Sequence, residues 1–106
     1  MNLAAARKVE ERLAEGLLKR PIVMDCSHAY LQKDYRRQKG NALDVAQMFA
    51  EGTRSIAGLM IDSHLKEKSQ PFETGRSLVY GQSITDGCIG WEETERLAGL
   101  IADRLK

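Results

Sequence analysis

His28 closes the segment Asp25-Cys26-Ser27-His28 just after the apolar run Ile22-Val23-Met24, and Asp62 directly follows a second apolar run, Ser55 to Ile61. Asp86 lies further on, inside the unusual stretch Tyr80-Gly81-Gln82-Ser83-Ile84-Thr85-Asp86-Gly87-Cys88-Ile89-Gly90-Trp91-Glu92. One imidazole and two carboxylates make a mixed nitrogen and oxygen donor set that suits a divalent metal, and the mixture leaves Mn, Fe, Co and Zn all open. The spacing alone is not a metal signature, since a lone His after a strand more often serves structure than ligation. Ser83 and Thr85 flank the approach to Asp86, where their hydroxyls orient the carboxylate or simply stabilise a turn. Gly81 supplies a residue free to take positive φ there.

The elements that would position these residues follow from periodicity. Leu3, Ala6, Val9, Leu13 and Leu17 recur at three- and four-residue steps after Asn2, a good N-cap, which predicts a first helix to about Lys19. Pro21 blocks its continuation, and Ile22-Val23-Met24 reads as a strand. A second helix is expected between Lys33 and Glu51, with Tyr35, Ala42, Val45, Ala46 and Phe49 on one face and Gly52 past its end. Gly40 weakens it by about 1 kcal/mol relative to Ala.

Ser55 to Ile61 is apolar without alternation, the pattern of a strand buried on both faces of a parallel sheet. From Ser63 to Gly90 no period persists, and a loop of that length inside a domain is usually functional. The last helix starts near Trp91, with Glu92 and Glu93 favoured by the dipole of its first turn and Thr94, Leu97, Ile101 and Leu105 on its inner face. Trp91 is expected to pack this helix onto the sheet. The order is αβαβα, an α/β arrangement in which alternating strands and helices imply a parallel sheet.

Composition narrows the class. The chain has 106 residues and a net charge of +1 with no basic stripe, so nucleic acid is not an expected partner. No apolar run approaches the ~20 residues of a membrane span, and no export signal opens the sequence. Two cysteines, Cys26 and Cys88, are too few for a disulfide framework, which fits a reducing compartment, so the expected location is cytoplasmic. A zinc site of Cys26, His28, His64 and Cys88 lacks the close paired spacing of zinc fingers, core packing suits Cys88, and His64 reads as an exposed loop residue.

In this order the three segments resemble the C-terminal part of the microbial type I 3-deoxy-D-arabino-heptulosonate 7-phosphate (DAHP) synthases, and the resemblance runs from about Asn2 to Lys106. It implies a TIM (β/α)8 barrel, which typically needs roughly 250 residues, so residues 1–106 are expected to be a single partial domain holding the last two parallel strands. The implied activity is that of a transferase: aldol-type condensation of phosphoenolpyruvate with erythrose 4-phosphate, first step of the shikimate pathway and of aromatic amino acid biosynthesis. It also implies one divalent metal held by Cys, His, Glu and Asp, onto which His28 and Asp86 map directly.

Asp62 stands where that pattern has Glu, shorter by one C–C bond of about 1.5 Å. The Gly-Pro-Cys-Ser and Lys-Pro-Arg-Thr segments are not in this sequence, so the metal site is expected to be incomplete and the chain inactive by itself. Arg36, Arg37 and Arg54 then read as solvated charges. An oligomer or a missing N-terminal part is implied. The alternative is a non-catalytic piece that assembles through unpaired strand edges or complements a separate N-terminal chain.

Overall fold

The computed structural model describes residues 7–12, 21–27 and 34–106. Residues 7–12 are helical (α1), inside the first expected helix, whose remaining residues lie outside those described. Ser55 donates its hydroxyl to the Glu10 carboxylate, tying α1 to the segment before the second strand.

Strand β1 (Ile22–Asp25) begins directly after Pro21, and strand β2 (Ile56–Met60) lies parallel to it. The register is irregular: Ile22 faces Ile56, whereas Val23, Met24 and Asp25 face Gly58, Leu59 and Met60. That irregularity leaves Ala57 over as an extra residue. Side chains alternate along a strand, so Ile56 and Leu59 would otherwise point to opposite faces; the extra residue puts both beside Ile22 and Met24.

Helix α2 (Arg37–Ala50) and helix α3 (Trp91–Arg104) pack together on that side. The core is Ile22, Met24 and Cys26, Ala42, Val45 and Met48 of α2, Ile56, Ile89, and Leu97 of α3, with Leu59 and Ile101 at its margin. The other face carries Val23, Asp25, Gly58 and Met60, and Val23 and Met60 are each 56% exposed. Burial of β2 on both faces, expected from its composition, is therefore corrected to burial on one. Its residues are apolar enough for two covered faces, but the described residues supply helices to one.

α2 starts at Arg37 rather than Lys33 because Asp34 makes its own turn, its carboxylate accepting the Arg36 N–H at 3.0 Å and the Arg36 guanidinium at 3.1 and 3.2 Å. It ends at Ala50, and Gly52 follows with a φ of +118°, which suits a glycine after the last turn. α3 opens at Gly90, whose carbonyl accepts the Thr94 hydroxyl at 2.8 Å, and Glu93 in its first turn pairs with Arg96 at 2.7 Å. Trp91 does not pack the helix onto the sheet; it is 56% exposed, and Leu97 at 1% carries the packing instead. As the first residue of the helix, Trp91 stands off the stripe that Leu97 and Ile101 direct inward.

The long segment after β2 holds isolated bridges between Ser63 and Ile89, Lys68 and Cys88, and Ser69 and Ser83. Glutamines complete it. Gln70 donates to the Val79 and Gln82 carbonyls at 2.8 and 3.0 Å and accepts the Val79 N–H at 2.8 Å, while Gln82 donates to the Glu67 carbonyl at 2.8 Å. Gly81 turns this loop at φ +81°, and a Cβ there would lie 3.0 Å from Cβ of Leu65.

Two stability predictions follow from these contacts. Gly81→Ala should lower the unfolding free energy by about 1–3 kcal/mol through forced positive φ and the Leu65 contact, whereas Gly40→Ala, with nothing within 4 Å of the added carbon, should raise it by about 0.5–1 kcal/mol; urea titrations of both variants check the signs. Burial, followed by the Asp25 charge, pushes the Cys26 thiol from 9.0 up to about 11. The folded state thus disfavours the thiolate. This contribution is full below pH 9 and disappears as pH rises towards 11, so the stability of wild type relative to Cys26→Ala should fall across that window.

Candidate functional site

Both strands run the same way, so their C-terminal ends open on one rim. At the end of β1 the Asp25 carboxylate accepts the Ser27 N–H at 2.9 Å and the Ser27 hydroxyl at 2.6 Å, a side-chain turn that shapes the chain leading to residue 28. His28 itself lies outside the described residues.

Asp62, two residues beyond β2, is half-buried and held through its backbone. Its N–H donates to Oε1 of Gln38 at 2.6 Å, its carbonyl accepts Nε2 of Gln38 at 3.0 Å, and the same carbonyl accepts the Ile89 N–H at 3.0 Å. Gln38 is 1% exposed and fully engaged. Three residues on, the Asn41 side chain donates to the Cys26 carbonyl at 2.8 Å. One helix therefore grips the outgoing ends of both strands with buried amides.

Asp86 is exposed, and the loop that carries it returns to Asp62 through Ile89. Cys88 lies between Asp86 and Ile89 in the chain. Its thiol donates to the Asp86 carbonyl at 3.5 Å, and it is pushed above its ordinary value by burial first, against a hydrogen bond from Ser83, with the Asp62 and Asp86 charges adding to the rise. Ser83 is half-buried; its hydroxyl accepts the Thr85 N–H at 3.1 Å and lies 3.3 Å from the Thr85 hydroxyl, so the pair forms the turn that carries Asp86.

His64 is exposed, as expected, and its Nδ1 accepts the neighbouring Leu65 N–H at 2.8 Å. Among the described residues no three His, Cys, Asp or Glu side chains gather as a metal cluster, so Cys26, His64 and Cys88 do not form one. Asp62 and Asp86 carry carboxylate oxygens, donors of a type that suits a divalent metal. Asp25, Gln38 and Asn41 were not legible as site residues. Gln38 and Asn41 nevertheless carried a signal, being amides at helical spacing from Ala42 and Val45 on the apolar face.

Comparison with known proteins agrees with this fold. Residues 2–99 match the sequence profile of the DAHP synthetase I family. The chain is 41% identical over 99 residues to the Phe-sensitive phospho-2-dehydro-3-deoxyheptonate aldolase of Escherichia coli strain K12, covering 93% of this chain and 28% of that relative. It is 45% identical over 92 residues to the Trp-sensitive aldolase of Escherichia coli O6:H1, covering 87% of this chain and 26% of the relative. Its fold matches the phospho-2-dehydro-3-deoxyheptonate aldolase of Francisella tularensis SCHU S4 with a TM-score of 0.89 at 28% identity, over 98% of this chain and 30% of that one. The chain thus spans less than a third of the length of these relatives. With its αβαβα order and parallel strand pair forming part of a TIM-barrel architecture, this chain belongs to the DAHP synthetase I family.

Proposed function

We propose that this chain contributes a metal-binding rim to the DAHP synthase reaction, the condensation of phosphoenolpyruvate with erythrose 4-phosphate. The carrying observation is that the loop bearing Asp86 returns to the end of β2, where the Ile89 N–H bonds to the Asp62 carbonyl while the Cys88 thiol bonds to the Asp86 carbonyl. His28, Asp62 and Asp86 would hold one Mn, Fe, Co or Zn ion. When bound, that ion would supply Lewis-acid polarisation of the aldehyde oxygen of the sugar phosphate.

The chain's own residues do the positioning. The Asp25–Ser27 turn closes the end of β1, and the Ser83–Thr85 turn presents Asp86. Both substrates are anionic phosphates, which need bidentate basic clamps. This chain spans 28% of the length of the Phe-sensitive relative, and on this reading those clamps and the turnover come from an assembly that completes the barrel.

Manganese titration of the whole chain, followed by the loss of the free-ion electron paramagnetic resonance signal, tests the ligand set. His28→Ala and Asp86→Asn should each weaken binding at least about tenfold, equivalent to ~1.4 kcal/mol. Equal affinity in wild type and both variants would refute the site.

The bare sheet face supports a second reading, assembly through unpaired strands or complementation of a separate chain. Val23 and Met60 are apolar and 56% exposed on that face, and each strand has a single partner among the described residues. Unpaired edges of this kind invite pairing with another chain. Light scattering at micromolar concentration should then show a species heavier than 11.9 kDa; a monodisperse monomer would exclude self-assembly, leaving complementation to co-expression.

A further inference from the structure

A glutamine side chain carries one acceptor and two donors, and burying it without partners costs on the order of 1–3 kcal/mol per group. Gln38 meets that demand unusually. Its Oε1 and Nε2 both bond to the backbone of a single residue, Asp62, at 2.6 and 3.0 Å. The amide thus pairs with residue 62 much as a neighbouring strand would, just past Met60, where β2 ends.

The helix that carries Gln38 is fixed in turn. Asn41, 6% exposed, bonds to the Cys26 carbonyl at 2.8 Å, and Ala42 and Val45 are locked in the core. The Asp62 backbone is therefore referenced to the end of β1 through two buried amides and less than one turn of helix. An aspartate has only two side-chain torsions, so where its carboxylate can reach is set largely by where its backbone is held.

We propose that Gln38 is a positioning residue, whose paired amide fixes the Asp62 backbone so that the carboxylate reaches the rim site. This rests on the reading of Asp62 as a metal ligand. Groups that orient ligands in this indirect way typically govern metal affinity by roughly 10- to 100-fold.

The test uses the whole chain, with Mn²⁺ as the probe and amide hydrogen exchange as a readout that needs no metal. Gln38→Met removes both bonds at similar volume, and Gln38→Asn keeps the amide but withdraws it by one methylene, which preserves a hydrogen-bonding group if the first variant folds poorly. In each, the Asp62 amide should exchange at least about tenfold faster while Met24 and Val45 keep their protection, and Mn²⁺ affinity should fall by roughly 10-fold or more.

Unchanged exchange at Asp62 in both variants, or exchange rising equally throughout the chain, overturns the proposal, because a purely structural glutamine would act globally. Asp62→Ala separates the two claims. If it weakens Mn²⁺ binding and the Gln38 variants do not, positioning fails and ligation stands. If it leaves Mn²⁺ binding intact, ligation by Asp62 fails and the proposal falls with it, even where the exchange data show the clamp.

Discussion

A buried amide must find hydrogen-bond partners, and the rim of this molecule is organised around two that do. Gln38 and Asn41 sit three residues apart on α2, so they project from the same side of the helix. The first takes the backbone of Asp62 and the second takes the carbonyl of Cys26. Parallel strands joined by a helix have no tight turn to set their ends against each other. Here the helix does this directly, with polar contacts at the rim and apolar contacts from Ala42, Val45 and Met48 below it.

The extra residue in β2 works with that clamp. By shifting the register between Ile22 and Val23 it keeps Ile56 and Leu59 on the helix-covered face, although their spacing in sequence is odd. The same shift sends Met60 to the face of Val23 and Asp25. Among the described residues that face is left without cover, which is how a barrel strand would look before the rest of the barrel closes over it. The fold match takes in 98% of this chain but only 30% of the solved Francisella tularensis aldolase chain.

Beyond β2 the loop is held by isolated backbone bridges and by side chains that bond to the main chain. Gln70 and Gln82 bond to main-chain groups across it, Gly81 provides a left-handed turn against Leu65, and Ile89 anchors its return to the carbonyl of Asp62. The return passes Cys88, so Ile89, three residues past Asp86, lies against Asp62. The apolar groups at the outer part of the loop, Phe72 and Tyr80 among them, remain exposed at 70% and 86%.

Local chemistry determined the two strands, the second and third helices and their order, because Pro21, Gly52 and the apolar spacing act within a few residues and need no distant partner. The positive φ of Gly81 was legible for the same reason. The segments quoted around Asp62 and Asp86 also carried the family, which depends on residue identity rather than on contacts. Only tertiary structure decided that β2 is covered on one face, that Trp91 stays exposed while Leu97 packs, and that Gln38 holds Asp62. Each of these depends on which surfaces of separate elements meet, or fail to meet, and burial and long-range hydrogen bonding are properties of that meeting.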